Sequence, residues 1–273
     1  MSHIADVDPI RLFSDYLKVT GVAHTGPEPE GDPQLIGKRL GLINGASWTT
    51  LWSNYFGRKY LPGVHLVNVG NEAVQINFME AHEKGLPTPP QSNIDAFVRY
   101  ARDLVDLAHV DAVLITCSTM NRAYRQVQDA LQADGVPVLT IDRPMMERAA
   151  ALGGRALVVA THGPAVKSTQ ALLRETAEEL GQELAFSGIT VEEAWDRLAE
   201  GDVDGHNRAL AKAIRAALSC EAITSIVLAQ LSMTVFLLTY PDPSAEFGVP
   251  LFTSGQCGFE RVRELLVNGP APA

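Results

Sequence analysis

Cysteine is scarce in this chain. Its 273 residues include three cysteines, Cys117, Cys220 and Cys257, which are too few and too widely spaced for a disulfide framework. Small secreted domains often depend on such frameworks, whereas thiols stay reduced in the cytosol. The sequence therefore predicts a cytoplasmic protein.

Positive charge is also scarce. The 22 Lys and Arg residues are outnumbered by 32 Asp and Glu residues, so the formal net charge is −10. A nucleic-acid groove or a polybasic membrane surface needs clustered cations, so we expect neither nucleic acid nor a membrane as a partner. The first twenty residues contain three aspartates and no apolar core, which is not the pattern of a secretory leader.

Residues 222–240 carry no charged side chain and are numerous enough to suggest a membrane-spanning helix. Hydroxyl and amide side chains interrupt this segment repeatedly. We therefore predict a buried strand that is followed by a buried helix.

Several common catalytic motifs are missing. The chain has no phosphate-binding loop of the GxxxxGK[ST] type, no GxGxxG turn, no GxSxG elbow and no CxxC pair. Its seven histidines never fall in the HxH or HxxxH spacing that metal sites use. These absences favour chemistry that needs neither a cofactor nor a metal.

Short apolar runs alternate with helical patterns along the chain. The runs are continuous rather than alternating, which is typical of parallel strands covered on both faces. One helical pattern begins at Ser92 with Asp95 as its capping partner. Such alternation predicts an α/β fold with mostly parallel sheets. The predicted strands are Leu40–Ala46, Val64–Val69, Asp111–Thr116, Pro137–Ile141, Ala156–Thr161, Ser225–Ala229 and Pro250–Thr253.

An internal repeat relates the two halves of the chain. Two pairs of segments have residue numbers that differ by 113, and a third pair has a slightly larger offset. Two matches at one offset favour duplication of a strand–helix–strand unit. The paired segments are Asp111–Met120 with Thr224–Met233, Gly135–Thr140 with Gly248–Thr253, and Arg39–Ala46 with Arg155–Thr161.

The repeat predicts two pseudo-symmetric lobes, each a mostly parallel sheet flanked by helices, with the active site in the cleft between them. Residues 36–150 together with 255–273 form the predicted first lobe, and residues 151–254 form the second. Residues 1–35 contain four prolines and are predicted to be an irregular N-terminal extension.

Polar side chains follow the predicted strands, and open α/β sheets bind ligands at the carboxyl ends of their strands. His162 differs from the other histidines because it directly follows Thr161 at such an end. The candidate site residues are Asn44, Cys117, Ser118 and Thr119 in the first lobe, and Thr161, His162, Gln230 and Ser232 in the second.

Cys117 is the strongest catalytic candidate. It lies where a buried strand ends and a helix is predicted to begin near Thr119. Backbone N–H groups at a helix N-terminus favour a thiolate and can hold a carboxylate. An unperturbed thiol has a pKa of about 8.5, and a modest decrease makes it a usable base or nucleophile at neutral pH.

The strand that ends in Thr-Cys-Ser-Thr, the second lobe that begins Val-Val-Ala-Thr161, and the duplicated α/β plan resemble the aspartate/glutamate (hydantoin) racemase superfamily over about residues 36–268. The resemblance implies two cysteines, one in each lobe, that exchange protons with opposite faces of the substrate α-carbon. It implies that Cys117 is the first of them.

The resemblance also implies the binding residues. Ser118 and Thr119 match the turn that binds the substrate carboxylate, Asn44 matches a polar residue at the end of the first strand, and Thr161 matches a hydroxyl contact of the second lobe. We assign His162 and Ser232 to substrate binding with them.

The chain departs from the superfamily at the second cysteine. The usual Gly-Cys-Thr-Glu pattern reads Ala229-Gln230-Leu231-Ser232 here, and the amide of Gln230 does not titrate near neutral pH. A single cysteine suits one-sided protonation after decarboxylation, or isomerisation through a covalent adduct. Cys257 and His162 remain the other candidates for a second acid.

The sequence thus predicts a cofactor-independent racemase or isomerase that acts on a small carboxylate through Cys117, with Gln230 in the place of the second base. A single-cysteine decarboxylase and a non-catalytic carboxylate-binding protein are the alternatives. The sequence leaves homo-oligomerisation open.

Overall fold

The structure of the protein is a computed structural model that describes residues 7–20 and 30–269. The chain divides into two compact units, one of residues 1–141 with 259–273 and one of residues 142–258. The described part of each unit contains one four-stranded sheet.

All strand pairs in unit 1 are parallel. The strands are β1 (Arg39–Asn44), β2 (His65–Gly70), β3 (Ala112–Ile115) and β4 (Val138–Thr140), in the spatial order β2-β1-β3-β4. The two central strands are apolar and almost entirely buried, because helices pack on both faces of the sheet. The helices of this unit are α1 (Pro9–Thr20), α2 (Thr50–Tyr60), α3 (Glu72–Glu83), α4 (Gln91–Ala108) and α5 (Tyr124–Leu131).

Unit 2 repeats this plan. Its strands are β5 (Gly154–Ala160), β6 (Leu184–Thr190), β7 (Ser225–Leu228) and β8 (Leu251–Thr253), all parallel, in the order β6-β5-β7-β8. Its helices are α6 (Arg143–Leu152), α7 (Gly163–Glu179), α8 (Glu192–Ala199), α9 (Val203–Cys220), α10 (Phe236–Thr239) and α11 (Pro243–Phe247). Helix α12 (Ser254–Asn268) contributes residues 254–258 to unit 2 and residues 259–268 to unit 1.

The two sheets have the same strand order, and the strands of the sequence repeat occupy equivalent positions. Strand β7 lies in its sheet where β3 lies in the other, and β8 corresponds to β4. The predicted α/β fold with two similar lobes is confirmed.

Strand β6 is absent from the sequence prediction. It pairs with β5 alone, at the edge of its sheet, and its side chains are half-buried or exposed. An edge strand needs no continuous apolar run, so the pattern that identified the other seven strands does not detect it.

Residues 9–20 of the predicted irregular extension form helix α1. The Asp8 carboxylate accepts hydrogen bonds from the backbone N–H groups of Ile10 and Arg11 and caps this helix. The rest of the predicted extension includes residues 1–6 and 21–29, which lie outside the described residues. Helix α4 also differs from the prediction, since it begins at Gln91 rather than after a Ser92 cap.

Unit 2 begins at residue 142, just before helix α6, whereas the boundary predicted from the sequence follows residue 150. Met145, Met146 and Ala149 of α6 pack in one buried cluster with Ala156 and Val158 of β5. The apolar face of α6 is therefore part of the core of unit 2.

The uncharged segment 222–240 is divided among three elements. Strand β7 is followed by the 3-10 helix Leu231–Val235 and then by α10. In residues 7–20 and 30–269, no helix is long and apolar enough to cross a membrane.

Candidate active site

Cys117 and Gln230 are equivalent residues of the two units. Each follows the strand that occupies the third place in its sheet, and each is the N-cap of a 3-10 helix with an extended backbone (φ −100°, ψ 110° and φ −130°, ψ 144°). These helices are Ser118–Ala123 and Leu231–Val235. In both units, the chain therefore presents this residue at the carboxyl edge of the sheet.

The thiol of Cys117 is half-buried and has a hydroxyl neighbour. Its Sγ lies 3.2 Å from Oγ1 of Thr119. The Thr119 hydroxyl can donate to a thiolate, and a donor to the charged form favours that form. A base at this position would thus be stabilised from within its own turn.

Gly45 gives the thiol its space. A Cβ built on Gly45 would collide with Sγ of Cys117. Gly45 directly follows β1, which pairs with β3, so the sulfur lies against the backbone of the neighbouring strand end. Gly45 was not among the site residues predicted from the sequence, although a glycine directly after the polar strand end at Asn44 was an available signal.

Asn44 is fully buried at the end of β1, and its side-chain amide forms hydrogen bonds with four neighbouring residues. Its Oδ1 accepts from Ser53 Oγ (2.6 Å) and Thr116 Oγ1 (2.8 Å), and its Nδ2 donates to Asn68 Oδ1 (3.0 Å) and Val69 O (3.3 Å). The amide thus uses both its acceptor and its donor capacity within the protein. Since Thr116 precedes Cys117, Asn44 also holds the end of the strand that carries the thiol.

The other residues of this turn differ in exposure. Ser118 and Thr119 are half-buried, while Met120 is buried in the core of unit 1. The Met120 N–H donates to the Cys117 carbonyl (3.0 Å) and closes the first turn of the 3-10 helix. Met120 therefore anchors the turn, and the two hydroxyl residues remain next to the thiol.

In unit 2, the side chain of Gln230 bonds to the end of the neighbouring strand β5. Its Oε1 accepts from the Thr161 backbone N–H (2.8 Å) and from Thr161 Oγ1 (3.0 Å). Its Nε2 lies 3.3 Å from Nδ1 of His162. The structure thus brings together three of the four predicted site residues of this unit.

His162 contacts Thr161, Gln230 and Trp195. Its Nδ1 is 3.4 Å from Thr161 Oγ1, and its ring meets the Trp195 indole edge-on with 6.2 Å between centroids. Desolvation of the ring lowers the pKa of His162 below its ordinary value, so the neutral imidazole is favoured at neutral pH. Trp195 belongs to α8 and carried no signal in the sequence.

Ser232 is buried in the 3-10 helix Leu231–Val235 with 6% of its surface exposed. By the 113-residue offset it is the counterpart of Thr119. Both units therefore place a hydroxyl residue two positions after the residue at the strand end.

The other two cysteines differ from Cys117 in exposure. Cys257 is 1% exposed in the core of unit 2, where Arg148 Nη1 donates to its Sγ (3.6 Å). Cys220 is exposed at the last position of α9. Across the described residues, no group of three or more His, Cys, Asp or Glu side chains could hold a metal ion.

A model of the Asp/Glu/Hydantoin racemase family matches residues 73–262 of this chain. No curated protein matches its sequence. Solved structures share the fold at low sequence identity. One is an aspartate racemase homologue from Pyrococcus horikoshii OT3, with 18% identity, a TM-score of 0.59 and coverage of 84% of this chain and 99% of the other.

Two further structures are similar. The allantoin racemase from Klebsiella pneumoniae has 18% identity and a TM-score of 0.59, and the match covers 86% of this chain and 90% of the allantoin racemase chain. The glutamate racemase from Francisella tularensis subsp. tularensis SCHU S4, in complex with D-glutamate, has 17% identity and a TM-score of 0.57. The match covers 86% of this chain and 84% of the glutamate racemase chain. The family model spans more than half of the chain, and the chain belongs to the Asp/Glu/hydantoin racemase family.

Proposed function

We propose that this protein is a cofactor-independent racemase or isomerase that forms a carbanion at the α-carbon of a small carboxylate, with Cys117 as the base. The observation that carries the proposal is the thiol at the carboxyl edge of the first sheet, against Gly45 and 3.2 Å from the Thr119 hydroxyl. Membership of the racemase family supports this type of reaction.

In the proposed step, the Cys117 thiolate removes the α-proton. The C–H bond breaks, an S–H bond forms, and the electron pair moves into the carboxylate to give an enediolate. Return of the proton by the same thiol to the same face gives α-proton exchange with retention, and racemisation requires that a proton reach the opposite face of the carbanion. Hydrogen-bond donors aimed at the developing negative charge lower the barrier of such a step most. The Ser118 and Thr119 hydroxyls are suitable donors in this turn, and the single O–H of Thr119 donates to the thiolate before the proton transfer and to the substrate after it.

We assign Thr161, His162 and Ser232 to binding of the same substrate. These residues lie at or just after the carboxyl ends of β5 and β7, which are the ends that bind ligands in open α/β sheets. Asn44 holds the Cys117 strand end in this proposal, because its amide is already fully bonded.

Because Gln230 stands where the family resemblance implies the second cysteine, the proposed reaction has one thiol base rather than two. The residue position of Gln230 is equivalent to that of Cys117, but an amide does not exchange protons near neutral pH. This observation favours a second candidate within the same site: decarboxylation, in which loss of CO2 leaves the carbanion and Cys117 protonates one face.

Proton exchange at the α-carbon tests the proposal. The protein is incubated in D2O with a panel of chiral amino, hydroxy and aryl carboxylates, and NMR and chiral chromatography follow deuterium uptake, optical purity and CO2 release. Racemisation supports the racemase, exchange without loss of optical purity indicates one-base carbanion chemistry at Cys117, and stoichiometric CO2 release supports the decarboxylase. Binding without either reaction identifies a carboxylate-binding protein.

The Cys117→Ser variant supplies the essential comparison. We expect it to lose about 10²- to 10⁴-fold in rate, the range that a catalytic base contributes. Cys220→Ser is the matched control, because it makes the same replacement at an exposed position at the end of α9. Full activity in Cys117→Ser would exclude the proposed mechanism.

A further inference from the structure

The orientation of the Gln230 amide follows from its backbone contact. A backbone N–H can only donate, so the amide atom 2.8 Å from the Thr161 nitrogen must be the oxygen. The NH2 group is then the one that faces His162, 3.3 Å from Nδ1. The Thr161 hydroxyl also donates to this amide oxygen, at a distance of 3.0 Å.

This orientation favours one tautomer of His162. An amide NH2 has no lone pair to offer, so in a hydrogen bond with Gln230 the Nδ1 atom accepts and carries no proton. The other neighbour of Nδ1, Thr161 Oγ1, is slightly farther away at 3.4 Å and already donates to the Gln230 oxygen. A neutral imidazole has one N–H, and in His162 it is Nε2–H. Among the described residues, Nε2 has no hydrogen-bond partner in the protein, since the ring's hydrogen bonds involve Nδ1.

The neutral form is also favoured by the surroundings of the ring. Partial burial of the ring lowers the pKa of His162, while the residue as a whole keeps an exposed surface. At neutral pH the ring is therefore an uncharged donor. A neutral imidazole of this kind can polarise a substrate oxygen, but its protonated nitrogen cannot take a proton.

We propose that His162 donates its Nε2–H to the substrate oxygen that becomes negative in the enediolate, and that Gln230 is the positioning residue that fixes this tautomer. The inference rests on the proposed function for its substrate. In this proposal His162 stabilises negative charge instead of acting as a second base. No covalent bond of His162 forms or breaks in this step, because the imidazole keeps its proton.

Gln230 is not replaceable by its closest isostere in this scheme. A glutamate at position 230 could still accept from the Thr161 N–H with one oxygen, but its other oxygen could only accept from Nδ1–H. The Gln230→Glu variant should therefore move the proton from Nε2 to Nδ1 while it preserves shape. Thr161→Val is the control, because it removes the Oγ1 contact and leaves the backbone N–H to hold the amide.

The first experiment measures the tautomer directly, without substrate. Two-dimensional 15N–1H spectra of the 15N-histidine-labelled protein at pH 7.5 distinguish Nε2–H, Nδ1–H and imidazolium rings, and a His162→Gln sample assigns the signal. We expect Nε2–H in the parent protein and in Thr161→Val, and Nδ1–H or imidazolium in Gln230→Glu. An Nδ1–H or charged ring in the parent protein would overturn the positioning role.

The second experiment measures α-proton exchange on the carboxylate found active in the panel. Loss of one such donor typically reduces kcat by about 10²- to 10³-fold, and we expect a reduction of this size in His162→Leu and Gln230→Glu, with KM changed less. The His162→Gln variant keeps an N–H donor and should recover part of the loss. Thr161→Val should keep the tautomer, whatever its effect on binding.

The two proposals can fail separately. If Cys117→Ser abolishes exchange while His162→Leu retains it fully, the donor role of His162 is wrong and the thiol chemistry stands. If Cys117→Ser keeps full exchange while His162→Leu loses it, the proposed base is wrong and the donor role stands.

Discussion

Gly45 and Cys117 are packed so closely that the glycine position has no room for a Cβ atom beside the sulfur. The two residues lie at the ends of β1 and β3, which are neighbouring parallel strands. The position of the proposed base thus depends on a residue with no functional group of its own.

The Gly45→Ala variant should therefore lose activity without losing the fold. The new methyl group must displace the thiol, and a misplacement of about 1 Å can cost about 10²-fold in rate. We expect a decrease of this size in kcat for the exchange reaction. Gly41→Ala is the control, because Gly41 lies in the same strand β1 and its Cβ would meet the Leu104 side chain rather than the sulfur. Equal activity losses in the two variants would contradict a specific effect on the thiol.

Removal of the Thr119 hydroxyl should slow alkylation of Cys117. A hydrogen bond to a charged group contributes about 1.5–3 kcal/mol, so Thr119→Val should react with iodoacetamide about 10- to 100-fold more slowly at neutral pH, and Thr119→Ser should react nearly as fast as the parent. The measurement uses mass spectrometry in a Cys220→Ser background, because Cys220 is exposed whereas Cys257 is buried. Alkylation of Cys117 should abolish activity in step with its extent.

The Gln230→Cys variant should gain a second proton donor and acceptor. A thiol at the position equivalent to Cys117 completes the two-cysteine arrangement that the family resemblance implies. We expect a higher ratio of racemisation to α-proton exchange on a carboxylate that the parent binds, because the new thiol can protonate the opposite face while loss of the Gln230 amide slows carbanion formation. Chiral analysis and deuterium uptake in D2O measure the two rates. Gln230→Ser is the control of similar size without a titratable thiol. The same gain in both variants would mean that the thiol is not its cause.

His206 should make the protein less stable at mildly acidic pH. It is fully buried in α9, its Nδ1 is 2.7 Å from the Ala194 carbonyl, and burial lowers its pKa. At a pH well above the ordinary histidine pKa of about 6.5, neither the folded nor the unfolded state binds the proton. Below that pH the unfolded state binds it first, so the free energy of unfolding falls as the pH decreases.

The measurement compares urea unfolding at pH 7.5 and 5.5 in the parent and in His206→Asn, whose amide can keep the bond to the Ala194 carbonyl. The variant should lose less free energy of unfolding between the two pH values. The lowered pKa of His162 contributes in both proteins and so cancels in the comparison. An identical decrease in the two proteins would exclude His206 as the source.

Much of the fold could be predicted because buried parallel strands carry a local signal. Strands such as β3 and β7 are continuous apolar runs, and their repeat at one offset indicated two equivalent sheets before any contact was known. Strand β6 lacked this signal because it is half-exposed at a sheet edge. Helix α1 has no buried residue, and the prolines around it suggested an irregular segment instead.

The sequence by itself determined the α/β class, the duplication and the equivalence of Cys117 and Gln230, because each of these is written in residue type and spacing along the chain. Only the tertiary structure decided that Gly45 lies against the sulfur of Cys117, that the Asn44 amide is fully bonded within the protein, and that Gln230 faces Nδ1 of His162. These relationships join residues on separate strands. Their distances and hydrogen-bond directions arise only when parallel strand ends are brought to the same edge of a sheet, which no local pattern records.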